Sequence, residues 1–166
     1  CYSVAFGLFE VAVTAFAAGK GRPAVAGIAL AMASVGSAAG ALTYGSRHWA
    51  MPLPQQFLLA LAGMAASILL MTPLDNILLF VAVSVIAGVP MATVISIQSL
   101  LVSQLTPREM LAESFTWGTT CLLGGISAGL AAGGLLVERM TPGATMASAA
   151  GITAAGAALT LLLKRG

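Results

Sequence analysis

Charge is what this sequence has least of. Asp, Glu, Lys and Arg make up 7% of its 166 residues, where an average soluble domain carries roughly 25%. So few ionic groups cannot solvate a globular surface, which removes the large class of soluble enzymes and binding domains. The net charge of +2 is small, and no basic stretch interleaves with aromatic residues. A nucleic-acid partner is therefore not expected. Cysteine is nearly absent, with only Cys1 and Cys121, and His48 is the single histidine. A disulfide framework and a Cys/His metal site are excluded, so no metal and no cofactor are expected. Strictly alternating segments of about ten residues, the mark of a membrane β-barrel, are missing too.

What is present is apolar sequence in long runs, 59% of all residues. The runs cover 1–18, 24–44, 55–72, 77–104, 114–137 and 144–163, each of a length suited to a spanning helix. Only helices or closed barrels satisfy their backbone inside a bilayer. The expected fold is therefore an all-α integral membrane protein with six transmembrane helices. The chain opens on Cys1, inside an apolar run and without a basic segment or cleavage motif. A fragment whose first helix is truncated is expected to look like this.

The breaks between runs carry turn chemistry. Gly19-Lys20-Gly21-Arg22-Pro23 reads as a tight turn, Gly45 to Pro54 as a longer loop, and Thr72-Pro73-Leu74-Asp75-Asn76 as another turn. Thr106-Pro107-Arg108-Glu109 has the pattern of a capping box, with Thr at N-cap, Pro at the first helical position and Glu at N3. This predicts that the fifth helix begins near Pro107 with a short interfacial turn. Glu138 to Gly143 forms the last break, and Lys164-Arg165 anchors the final helix at the interface. Six spans put both ends on one side, where Lys164 and Arg165 join Arg47 and Arg108. Lys20, Arg22 and Arg139 fall on the other side. The small basic excess favours a cytoplasmic C-terminus.

Within the spans, small residues recur at helix-packing spacing. Gly36 and Gly40 form one GxxxG pair, Gly125, Gly129 and Gly133 form two more, and Ala147, Gly151 and Ala155 repeat the pattern. Such stripes let helix backbones approach closely. Thr116, Thr120 and Ser127 fall within roughly 40° of one another at about 100° per residue, nearly opposite the glycine stripe of their span. These hydroxyls either bond back to their own helix or line an aqueous cavity. In the fourth span Gly88-Val89-Pro90 predicts a kink. Ser84, Met91 and Gln98 share one stripe there, and Gln98 must face protein or water.

Glu10 is the most informative residue. A charged group at the centre of a span costs about 2.5–3.5 kcal/mol on insertion scales. Tyr2, Phe6 and Glu10 follow one another at i, i+4, i+8 and share a face. A carboxylate beside aromatic rings can bind a cationic, partly apolar molecule or take up a proton. A carboxylate near the end of the span, reaching solvent or stitched to a neighbouring helix, is the structural alternative.

Three stretches resemble the major facilitator superfamily, and within it the bacterial drug- and sugar-efflux branch. Phe6-Gly7-Leu8-Phe9-Glu10-Val11-Ala12 looks like the seventh helix of that branch. Gly36 through Gly40-Ala41-Leu42-Thr43-Tyr44-Gly45-Ser46-Arg47 resembles the eighth helix and its Gly-rich exit loop. Leu105-Thr106-Pro107-Arg108, Glu113-Ser114-Phe115-Thr116-Trp117 and the glycines after them resemble helix eleven. Tyr44 departs from the loop motif, standing where an acid is usual, and only Arg47 remains of its basic run. The resemblance covers nearly the whole chain as the C-terminal six-helix half of a twelve-helix fold. It implies inverted three-helix repeats over approximately 1–72 and 77–163 and a central path lined by the first, second, fourth and fifth spans. Glu10, Phe6, Tyr2, Gln98 and Thr120 would line that path, with Met32 and Ser34 nearby. Arg47 would serve in loop gating, and the third and sixth spans would be peripheral.

The expected function is proton-coupled efflux of a small organic molecule by alternating access, in the inner cell membrane. The implied partners are that substrate, protons, the lipid bilayer and a missing N-terminal six-helix half. The alternative is a non-transporting membrane scaffold or assembly subunit. A membrane enzyme is not expected, because the spans hold no metal pattern and no Ser/Lys or Asp/Asp pair.

Overall fold

In a computed structural model, the structure describes the backbone of residues 2–165 and the side chains up to Leu161. Cys1 and the proposed Lys164-Arg165 anchor lie outside the described side chains. Six helices follow the six apolar runs: α1 (Tyr2–Gly19), α2 (Ala24–Gly45), α3 (Leu53–Met71), α4 (Ile77–Leu105), α5 (Leu111–Arg139) and α6 (Pro142–Arg165). All six are long and apolar enough to cross a membrane. No strand occurs among the described residues.

The connections explain where the helices stop. Gly21 turns the chain between α1 and α2 at φ +68°, a conformation that L side chains resist. Asn76 caps α4, its Oδ1 accepting from the N–H groups of Leu78 at 2.9 Å and Leu79 at 3.3 Å. Thr141 Oγ1 accepts from the Ala144 N–H at 3.3 Å at the start of α6. The expected Thr106 capping box does not form. Thr106 instead closes α4, its N–H donating to the Val102 carbonyl at 3.1 Å. Pro107 is extended at ψ 145°, and Arg108–Met110 make one 3-10 turn without a side-chain cap. The short turn before α5 is therefore present, but the threonine is held by the preceding helix.

The helices pair through glycine. α2 lies against α4, and α5 lies against α1. A β-carbon on Gly36 or Gly40 would collide with the carbonyls of Val85 and Val89, and one on Gly88 with that of Ala33. Gly88, read from sequence as part of a kink, is thus a contact residue, and α4 runs unbroken through Pro90. In the second pair, Gly129 abuts the Val4 carbonyl, Gly133 the Val11 side chain and Gly125 the Ser3 side chain. Gly7 of α1 sits against the Ile126 carbonyl and the Leu130 nitrogen.

The apolar core lies among α1, α3, α4 and α6. Leu8, Phe9, Met64, Ile68, Phe80 and Met146 are buried there. Phe16 and Phe80 stack with centroids 4.0 Å apart, joining α1 to α4 at the end where Lys20 meets Asp75 at 3.1 Å. α3 and α6 pack on each other as well as on α4 and α1. The helices with the widest exposed faces are instead α2 and α5. On α5 only Gly129 and Gly133 are buried.

Candidate functional site

Helix geometry sets the depth of Glu10. Together with Phe6, Ser34, Ser37 and Met91 it lines a small cavity of about 90 Å³. Met91 is the middle residue of the 29-residue α4, so roughly 20 Å of helix separates this level from either end of α4, at about 1.5 Å per residue. Glu10 thus stands at mid-height in the bundle and not near an end. It also borders an open groove of about 420 Å³, floored by α1 and bounded by Leu30 of α2 and Leu130 of α5.

The carboxylate of Glu10 has no hydrogen-bond or ion-pair partner among the described residues. The nearby Thr14 hydroxyl donates to the Glu10 backbone carbonyl at 2.8 Å and leaves the side chain alone. Every Lys and Arg stands in a connection or in the last turns of a helix. No basic side chain among the described residues therefore stands at the level of Glu10.

Tyr2 and Gln98 make a second cluster. The Tyr2 hydroxyl donates to Gln98 Oε1 across α1 and α4, and the Tyr2 ring meets Phe57 of α3 edge-on at 6.4 Å. Gln98 Nε2 lies 3.7 Å from where a Gly118 β-carbon would stand. It borders a pocket of about 80 Å³ shared with Ser99, Ser114 and Thr119. Along α1, eight residues separate Tyr2 from Glu10, roughly 12 Å.

The five residues expected along a path therefore divide. Glu10 and Phe6 share one cavity, Tyr2 and Gln98 share another, and Thr120 lines neither. Thr120 is exposed, with its Oγ1 donating to the Thr116 carbonyl at 2.9 Å. Thr116 and Ser127 likewise bond back, to Ala112 at 2.8 Å and Leu123 at 2.9 Å. Ser34 donates to Leu30 at 3.0 Å, while Met32 is half-buried on α2 and lines neither cavity.

Sequence reading missed Ser37, Ser114, Gly118 and Thr119. Gly118 was within reach, because it continues the Gly125 stripe seven residues back, two helical turns. Arg47 is exposed and forms no ion pair among the described residues. Its loop is held without charge. The Tyr44 hydroxyl donates to Gln56 Oε1 at 2.6 Å, and the Tyr44 ring stacks on Trp49 at 5.8 Å.

Fold and site fit one class, a multi-pass α-helical membrane protein, with an acid at mid-height that has no partner among the described residues. Comparison with family models, curated proteins and solved structures returns no match for this chain.

Proposed function

We infer that the chain forms one six-helix half of a secondary active transporter of the major facilitator type, exporting a small organic molecule in exchange for protons. The carrying observation is Glu10, an acid without a partner, at mid-height, bordering a groove between α2 and α5. In this reading it takes up the coupling proton or holds a cationic substrate, and Phe6 supplies an aromatic face beside it. Tyr2 and Gln98 form a neutral polar contact further along the path. The helix pairing supports inverted repeats over α1–α3 and α4–α6. Exchanging the two triplets turns the α2–α4 contact into α5–α1 and the α3–α4 contact into α6–α1, and maps α3–α6 onto itself. The broad exposed faces of α2 and α5 are where a second half would complete the cavity. The C-terminus then faces the cytoplasm of an inner membrane, on the side of Arg47 and Arg108.

The test is substrate flux in proteoliposomes under an imposed pH gradient, at equal reconstituted amounts. Glu10→Gln keeps shape and hydrogen-bonding capacity but cannot titrate, so proton-driven flux should fall to background with expression intact. Phe6→Ala should weaken substrate binding while leaving the proton dependence in place. Unchanged flux and pH dependence in Glu10→Gln would assign the carboxylate to helix stitching and favour the scaffold reading.

A further inference from the structure

A partly open groove away from Glu10 lies between α2, α3 and α4. α2 and α3 both pack on α4 and hardly meet each other, which leaves a groove of about 280 Å³. Its shaft is made where side chains are small or absent. Gly40, Ala60 and Gly63 form part of the wall, with Leu59, Pro90 and Ile97 around them. The two hydroxyls along it are already engaged, Thr43 with the Ala39 carbonyl at 2.8 Å and Thr93 with the Val89 carbonyl at 3.0 Å. Water has almost nothing to bond in such a space, and apolar cavities stay dry.

One end of the groove is different. Tyr44, Trp49, Met51 and Gln56 form a collar where α2 passes into the loop. Their polar atoms satisfy one another. Trp49 Nε1 donates to the Tyr44 carbonyl at 3.1 Å and Gln56 Nε2 to the Met51 carbonyl at 2.6 Å, beside the Tyr44–Gln56 bond. Tyr and Trp side chains of this kind gather at the level of lipid headgroups. Just beyond the collar, between Tyr44 and Trp49 in sequence, stand the exposed Arg47 and His48, and residues 45–54 contain no acid. Arg47 has no ion-pair partner among the described residues.

From groove to loop the order therefore runs from apolar shaft to aromatic collar to a basic segment, Arg47-His48, that lies in sequence between the collar residues Tyr44 and Trp49. That order is complementary to an anionic phospholipid: acyl chain, glycerol level, phosphate. We propose that the α2–α3–α4 groove is a binding site for one anionic phospholipid, with an acyl chain in the shaft and the headgroup phosphate at Arg47. The site lies apart from Glu10 and does not depend on transport. It does rest on the bundle residing in a bilayer.

The probe is quenching of tryptophan fluorescence by lipids brominated on an acyl chain, in vesicles that mix phosphatidylglycerol and phosphatidylcholine. Trp117→Phe leaves Trp49 as the reporter at the collar, and Trp49→Phe leaves Trp117, exposed on α5 outside this groove, as the control reporter. With Trp49 reporting, brominated phosphatidylglycerol should quench at about fivefold lower mole fraction than brominated phosphatidylcholine, the ratio one basic side chain gives at an anionic surface. With Trp117 reporting, the two lipids should quench alike. Arg47→Gln, in an exposed loop, should remove the preference at Trp49. Gly63→Leu fills the shaft, where the nearest atom to an added β-carbon is Pro90 Cβ at 3.9 Å, and should weaken Trp49 quenching by both lipids. A preference at Trp49 that survives Arg47→Gln, or quenching indifferent to Gly63→Leu, would overturn the site. Absence of quenching at both tryptophans would overturn the bilayer placement and the site with it.

Discussion

Two seams hold the outer helices to the inner ones, and they are not equally tight. Where α2 meets α4, glycines face backbone: Gly36 and Gly40 lie on the carbonyls of Val85 and Val89, and Gly88 returns the contact onto Ala33. Where α5 meets α1, backbone approaches too close for a β-carbon are confined to Gly7 and Gly129. Further along, Gly125 faces the Ser3 side chain and Gly133 the Val11 side chain. A side chain can rotate or shift to admit a neighbour, but a helix backbone cannot. The first seam should therefore behave as a rigid joint, and the second as one that is rigid at its centre and adaptable at its ends.

Substitutions can break this contrast in order of severity. Gly88→Leu should be worst, since added volume meets helix backbone; overpacking costs about 1–3 kcal/mol, occasionally more, and little folded protein should be recovered by size-exclusion chromatography in detergent. Gly129→Leu should also disrupt the bundle, but less, because α5 is bound on one face only and can move outward. Gly133→Ala places its β-carbon 3.0 Å from Val11 Cβ. Val11 Cβ is fixed to its backbone, so α5 must move out from α1 by a few tenths of an ångström, and thermal unfolding should shift by no more than the equivalent of about 1 kcal/mol. Thr120→Val on the exposed face should matter least, near the roughly 0.6 kcal/mol that such a hydrogen bond averages in membrane helices. Equal losses from Gly88→Leu and Gly133→Ala would erase the distinction between the seams. Comparable losses from Gly129→Leu and Thr120→Val would mean that α5 has no preferred packing face.

Sequence reading recovered the six helices to within a few residues, because hydropathy alone decides what can enter a bilayer. It also found the glycine stripes. It could not tell which helix each stripe meets. In a soluble helix the polar face marks the outside, but here lipid and protein interior are equally apolar, and that marker is lost. The Tyr2–Gln98 bond joins residues 96 apart in sequence, with no local signal in either helix. Thr106 failed as a cap for another reason. Its motif was locally sound, yet Pro107 stays extended at ψ 145° and starts no helix, so the N–H groups that the Thr106 hydroxyl would cap are not in place. Asn76, dismissed as a turn residue, became the cap. For Glu10, sequence singled out the residue, and only the neighbouring Met91 set its depth.

The bonded-back hydroxyls have a consequence of their own. Thr14, Ser34, Thr116, Thr120 and Ser127 each give their only hydrogen to a carbonyl of their own helix. What each turns outward is an oxygen with lone pairs and no proton. Beside Glu10, Thr14 and Ser34 are thus acceptors only, and Ser37 keeps the one hydroxyl of the Glu10 cavity without a bond among the described residues. The Thr14 and Ser34 oxygens accept a hydrogen bond from an N–H group but have no proton left to give to a carboxylate or phosphate.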